Sequence, residues 1–476
     1  MAEVAERRYP QSLSRVLNVF GAVMVVVSAV TPAGAVWVIA QVILQNQGSG
    51  AFWTMVAAAV IGIGMCFCWA ELGAMYPIAG GDYSIIARVM GKLPGFLMFI
   101  IFLTLAIFIP SAIGLGAGQY VQVAWPNVDA NIVGTVLIVI ATLTAILHIR
   151  FNAVITGLFL FIELGAITIA SVLGFFFAKS GLHWGELIHP HVFSASGEAT
   201  AATLAIMAAG IGVGLFSYNG YHWVLFLSEE THLGGLHTKL VNAIFISFAI
   251  TVFFELLPIT AAILGAPDLA ALQNSTSPMA YLVESLGGHT LNVIVSLGIA
   301  LAIFNAVLAC IITLSRVIYS SGRDKAWPGV VSDWISVVSP RFRTPWVATA
   351  LIGIIGAVLT ATSSVAALVT FTGVMLAAEY AMIAFAAIYS RIYQKDAIRP
   401  YKMPLWPLPP LVALVGTIWT LCLQSWSDLL ITAAILGVAL VYYYVYLLPR
   451  RGTHWEMLEA VHDPEADLPL PTKNIT

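Results

Sequence analysis

The sequence predicts an all-α polytopic membrane protein with 12 transmembrane helices. Three observations carry that expectation. Of 476 residues, 60% are hydrophobic and only 9% are charged, where a soluble domain averages about 25% charge. Apolar runs recur along the whole chain, at about 16–44, 52–77, 94–123, 131–148, 152–177, 203–228, 240–264, 290–316, 345–361, 363–389, 407–424 and 427–448. We number them runs one to twelve. Most reach the ~20 residues that cross hydrocarbon, with runs four, nine and eleven marginal. Finally, with the N-terminus inside, 19 of the 20 basic residues fall on the cytoplasmic side and only Lys179 falls outside. That asymmetry sets the orientation. It places both termini in the cytoplasm and the bundle in the inner (plasma) membrane.

The polar segments between and around the runs complete the layout. Residues 1–15 form a polar cytoplasmic tail without a signal-peptide pattern. The external loop 179–202 holds His183, His189 and His191, read as surface residues rather than metal ligands. The basic loop 320–344 carries Trp327, Trp334, Ile335 and Val337, the makings of a helix lying on the bilayer surface. Residues 449–476 are polar and acidic, a flexible cytoplasmic tail. Cys66, Cys68, Cys310 and Cys422 lie in or near apolar runs and read as reduced packing residues. No basic tract or recognition motif points to nucleic acid.

Two runs are interrupted. Run one contains Ser28-Ala29-Val30-Thr31-Pro32-Ala33-Gly34, and run six contains Phe216-Ser217-Tyr218-Asn219-Gly220-Tyr221. Proline and glycine break the helical ladder. In hydrocarbon the freed groups need protein, ligand or water. A bland reading is two kinks without a ligand. Two breaks in corresponding positions instead point to a substrate site built from discontinuous helices. Runs one to ten then divide into two halves of five, a LeuT-like 5+5 inverted repeat with broken helices one and six. Residues 16–389 would be the transport core, and residues 390–448 would hold the peripheral helices 11 and 12.

Local motifs add a resemblance. Ala70-Glu71-Leu72-Gly73-Ala74-Met75-Tyr76-Pro77-Ile78-Ala79-Gly80-Gly81-Asp82-Tyr83 resembles a signature of the amino acid–polyamine–organocation (APC) superfamily. The run-six break with Ser228-Glu229-Glu230-Thr231 is similar to that family too. So are Ser315-Arg316-Val317-Ile318-Tyr319, then Gly322-Arg323-Asp324-Lys325, then Arg343-Thr344-Pro345, and more weakly Arg399-Pro400-Tyr401-Lys402-Met403-Pro404. The resemblance implies a permease working by alternating access. It departs in run one, where family glycines cradle a substrate carboxylate; the Thr31-Pro32 pair here looks more like some putrescine-type importers.

Ionisable groups in a membrane are costly and mark function. Glu71, Glu163, Glu255 and Glu379 qualify, and no basic residue in the runs neutralises them. The resemblance gives Glu71, with Arg316 and Arg323, a part in closing an inner gate. It sets Glu163 where relatives without sodium coupling keep a polar or charged residue against runs one and eight, so Glu163 is the expected proton-coupling group. Its bland alternative is a neutral acid bonded to the break. Glu255 is read as compensating carbonyls freed by Pro258, and Glu379 as lining the outer vestibule beside an amine substrate. The substrate contacts expected are Ser28, Ala29, Thr31, Pro32, Ala33 and Gly34 of run one. To these are added Phe216, Ser217, Tyr218, Asn219, Gly220 and Tyr221 of run six, with Ser111, Asn305 and Glu379. Ile109-Pro110-Ser111 is read as a further broken backbone. Trp37 and Trp223 offer faces for an ammonium group. His222 reads as a packing or hydrogen-bonding residue.

The expected function is a secondary-active transporter of amino acids or related organic amines, with a proton as the coupling ion. Alternatives are a polyamine or monoamine importer, an amino acid/amine exchanger, and a carrier-derived receptor or channel. No cofactor is expected, and no metal-binding, nucleophile or phosphate motif supports an enzyme.

Overall fold

The computed structural model describes residues 18–77, 80–147, 149–231 and 235–457, without the side chains of 149–158, 229 and 230. Expectations for the tail 1–15, for Ile78-Ala79, for the side chains of Glu229-Glu230 and for residues beyond 457 lie outside what is described. Within them the chain is helical apart from one small hairpin, His191–Phe193 paired antiparallel with Ala199–Ala201. Seven segments are long and apolar enough to cross a membrane: Val19–Met75, Lys92–Ala124, Phe159–Phe176, Leu236–Gly265, His289–Arg323, Val365–Tyr393 and Trp426–Arg450. Ala130–Ala145, Trp346–Thr362 and Leu408–Cys422 are shorter apolar helices. The chain is an integral membrane protein.

Helix starts follow local capping chemistry. Asn18 accepts from the Gly21 amide at 2.7 Å, and Asp129, Thr203, Ser364 and Ser425 cap Ala130–Ala145, Leu204–Ala209, Val365–Tyr393 and Trp426–Tyr442 in the same way. Run one divides into Val19–Val30 and a second part at 32–47; run six divides into Leu204–Ala209, Ile211–Ser217 and a 3₁₀ stretch Trp223–Glu230. Run eight, His289–Arg323, is the central post. It packs on runs three, four, five and nine and on the first part of run one. Its residues from Asn305 to Gly322 are all buried. The outer surface is apolar, with Phe161 72%, Phe176 80%, Val415 64% and Val438 71% exposed. Such side chains are stable only against lipid or another apolar surface. Run twelve buries only Thr432 and Ala439 between Trp426 and Tyr442.

Short elements between the runs were not foreseen: the helices Gly81–Met90, Leu269–Asn274 and Pro278–Gly287. The loop helix expected in 320–344 is Gly329–Ile335, with Val330 and Trp334 exposed.

Two expectations are corrected at the end of the bundle that carries most basic residues. Glu71 is neutralised after all. Arg391 donates to it at 2.5 and 2.6 Å, Arg399 at 3.1 Å and the Met403 amide at 2.7 Å. These partners lie outside the apolar runs in sequence, but the segment after run ten folds back under run two. The tail is also not free at its start. Trp455 is 1% exposed and donates from Nε1 to the Lys92 carbonyl at 2.8 Å, its ring against Tyr83, Phe96 and Phe99. Glu456 pairs with Lys92 at 2.5 Å. A single buried aromatic outweighs the polar residues around it.

Removing one member of a buried ion pair strands its partner. Glu71→Ala is expected to cost about 3 kcal/mol, the low end for a buried pair because Arg391 partly reaches water. A thermal midpoint in detergent equal to the parent's would show that the network contributes nothing.

Candidate substrate and coupling site

The run-one break can be followed atom by atom. Thr31 takes the left-handed conformation, φ 50°, which a β-branched residue adopts only when its surroundings hold it. Its amide still bonds Val27 at 3.0 Å, and the Ala35 amide returns to the Thr31 carbonyl at 2.7 Å. Between them the ladder is lost. Pro32 has no N–H for the Ser28 carbonyl. The Ala33 amide turns from Ala29 and donates to Glu163 Oε1 at 2.8 Å. The Gly34 amide donates to Thr31 Oγ1 at 3.1 Å, and Thr31 Oγ1 donates to Glu163 Oε1 at 3.0 Å. The freed Ala29 carbonyl accepts from Cys310 Sγ at 3.2 Å, so Cys310 is more than packing. Glu163 is fully buried, and its Oε2 has no hydrogen-bond partner among the described residues. A carboxylate at the first turn of a helix sits where the helix dipole favours negative charge.

Run six turns at 218–222. Gly220 has φ 114°, and a Cβ there would stand 3.0 Å from Val30 Cγ2, so the two breaks touch. The Asn219 side chain accepts from Tyr380 at 3.1 Å, and Tyr221 donates to the Gly62 carbonyl at 3.3 Å. Ser217 Oγ donates to Glu255 Oε2 at 2.5 Å. Glu255 thus serves the run-six break, not the carbonyls near Pro258.

Several buried polar atoms around the breaks lack a hydrogen-bond partner among the described residues. They are the Tyr218 hydroxyl, the Trp37 and Trp223 indole nitrogens, Glu255 Oε1, and the hydroxyls of Ser247 and Thr251. Buried polar atoms normally find partners, so a cluster without them marks a place where a ligand or water can bind. Ser247 and Thr251 were missed in sequence. Their signal was the i, i+4, i+8 spacing of Ser247, Thr251 and Glu255 along Leu236–Gly265, one polar stripe on an apolar helix.

Ser28, Ala29, Thr31 to Gly34 and Phe216 to Tyr221 are brought together, and Asn305 is buried on run eight. Ser111 is not with them. Helix Lys92–Ala124 runs through Pro110 unbroken, and Ser111 Oγ donates to the carbonyls of Ile107 and Gly356, at 2.6 and 3.3 Å, in the contact with run nine. Its hydroxyl is satisfied on the scaffold. Glu379 is fully buried at the middle of Val365–Tyr393, near His222 and Asp82. Arg316 donates to the Ile312 carbonyl at 2.6 Å and is buried, and Arg323 lies 4.0 Å from Asp324.

A bundle of lipid-facing helices that keeps two touching backbone breaks and buried acids at its centre has the frame of a membrane carrier. Comparison with known proteins agrees: residues 17–449 match the amino acid permease family, and the chain belongs to it. It is 27% identical to the serine/threonine exchanger SteT of Bacillus subtilis, over 74% of this chain and 77% of that protein. It is 24% identical to the b(0,+)-type amino acid transporter 1 of Mus musculus, over 84% and 83%. An uncharacterized transporter of Mycobacterium tuberculosis is 25% identical over 92% and 93%. The fold is similar to a crystal structure of a manganese transporter mutant from Eremococcus coleocola, with TM-score 0.58 at 13% identity, covering 92% of this chain and 97% of that one.

Thr31→Val keeps the shape and removes both side-chain bonds at the break. The loss is expected to be about 2 kcal/mol, because one of the two bonds goes to a carboxylate. It is read as a lower denaturation midpoint in detergent; an unchanged midpoint would mean that the break is held by backbone packing alone.

Proposed function

We propose that this permease is a secondary-active transporter of amino acids, coupled to protons through Glu163 and working by alternating access. The observation that carries the reading is the Glu163 carboxylate bonded across the run-one break, to Thr31 Oγ1 and the Ala33 amide. An ionised carboxylate accepts both bonds and complements the helix dipole. A proton removes the charge and weakens both bonds, which frees the first part of run one to move against run five. Substrate would sit between the two breaks. Glu163 and Glu255 favour an ammonium group there, and Tyr218, Trp37 and Trp223 offer aromatic faces. The architecture proposed is twelve spans in a 5+5 inverted repeat, core 16–389, with 390–448 peripheral. The basic end would face the cytoplasm across the plasma membrane, and Glu71, Arg316 and Arg323 would hold that end closed.

A second reading is an importer of decarboxylated amines. The Ala33 and Gly34 amides, which would receive a substrate carboxylate, are already engaged by Glu163 and Thr31. A thermal-shift series of amino acids against their decarboxylated amines separates the two. Exchange is the mode named for SteT, and counterflow in proteoliposomes separates carrier exchange from a receptor that binds without flux.

Glu163→Gln mimics the protonated acid. It is expected to keep substrate binding and counterflow while losing proton-driven, sodium-independent accumulation. Full concentrative uptake by this variant would remove Glu163 from coupling. Asn219→Leu places bulk at the run-six break and is expected to abolish substrate-induced thermal stabilisation; a monodisperse variant that still binds normally would put the site elsewhere.

A further inference from the structure

A second buried cluster adjoins the run-six turn, on the side of Trp69 and Tyr380. We propose that Asp82, His222 and Glu379 form a binding site for a divalent transition-metal ion of the zinc class, clamping the basic end of the carrier shut. The three residues come from different elements: the helix Gly81–Met90, the turn after the run-six break, and run ten, Val365–Tyr393. All are at most 1% exposed. His222 Nε2 lies 3.3 Å from Asp82 Oδ2 and 3.5 Å from Glu379 Oε1. One donor atom from each residue lies within 4.8 Å of the others.

The spacing fits a metal better than a shared proton. A tetrahedral ion with bonds of about 2.0–2.1 Å separates its ligand atoms by about 3.4 Å, close to both measured distances. Neither histidine–carboxylate contact has the alignment of a hydrogen bond. Asp82 Oδ2, both Glu379 oxygens and both His222 ring nitrogens lack a hydrogen-bond partner among the described residues. A proton would be donated along one line to one oxygen; here two oxygens flank the same nitrogen.

Charge balance points the same way. Two carboxylates and a neutral imidazole carry two negative charges, which one divalent cation cancels. An imidazolium cancels only one, so neutrality without a metal takes a second proton, on one of the two carboxyls; a net charge left buried would be expensive. One nitrogen and two oxygens, with a fourth tetrahedral position left over, are a donor set that zinc accepts.

A supporting layer is in place. Trp69 Nε1 donates to Asp82 Oδ1 at 2.8 Å, leaving Oδ2 aimed at the cluster. The Trp69 ring lies flat on His222, with centroids 3.7 Å apart and planes at 2°, which fixes the imidazole plane. Outer groups of this kind orient metal ligands. The ligand atoms are sealed from solvent, so an ion enters or leaves only when runs two, six and ten and the helix Gly81–Met90 separate. A bound ion therefore holds the arrangement described here.

The test uses the purified full chain, stripped with a chelator and titrated with Co²⁺ as the probe. One equivalent should bind with the strong visible absorption of a tetrahedral cobalt centre. His222→Gln should lose that signal. Glu379→Gln should lose it too, and it serves as the reading if His222→Gln is not monodisperse. Trp69→Phe, which only positions Asp82, should weaken binding by about 10–100-fold. His189→Gln/His191→Gln, on the external loop, should leave it unchanged. A folded parent protein that binds no cobalt overturns the site, as does binding that survives His222→Gln and Glu379→Gln or disappears with the loop histidines. The readout needs no transport, so it stands or falls separately from proton coupling.

Discussion

Backbone polar groups freed inside an apolar bundle must find partners, and the rest of this structure is arranged around that requirement. At 28–34 a proline, a left-handed threonine and two diverted amides leave a helix that cannot satisfy itself. Glu163 supplies the acceptor and Cys310 the donor. Both come from long continuous helices, Ile149–Phe176 and His289–Arg323, packed on the first part of run one. The strained segment is thus held by groups from outside it. A continuous helix at this place would need neither group, and Glu163 would then be an unpaired buried acid.

The same logic explains why the interior is polar in stripes. Ser217 and Glu255 meet beside the second break, and Ser247 and Thr251 extend that face along run seven. Each such group is costly in hydrocarbon. Several of those beside the breaks lack a hydrogen-bond partner among the described residues, whereas a scaffold hydroxyl such as that of Ser111 is bonded.

The sequence made the membrane class and the apolar helices legible, because hydropathy is a local property. The contact of Glu163 with run one was expected from the resemblance, and it is present. What escaped depends on distant pairing. Arg391 and Arg399 lie outside any apolar run, so nothing local tied them to Glu71. His222 read as packing because its partners are 140 positions before it and 157 after it. The neighbours of Glu379, His222 and Asp82, were out of reach for a related reason. A helix's sequence gives its faces but not which neighbour closes over them. Trp455 stood in a polar, acidic stretch, and only the aromatic cavity left by Tyr83, Phe96 and Phe99 explains where it goes.

That tryptophan has a consequence for biosynthesis. Its partners Tyr83, Lys92, Phe96 and Phe99 belong to the first quarter of the chain, whereas Trp455 follows the last apolar run. Helices inserted one after another during translation cannot complete this cluster until the segment beyond run twelve leaves the ribosome. Until then the aromatic slot beside Lys92 is open. The docking of Trp455 therefore follows insertion of run twelve, and a chain arrested at that run would be inserted and still unlatched.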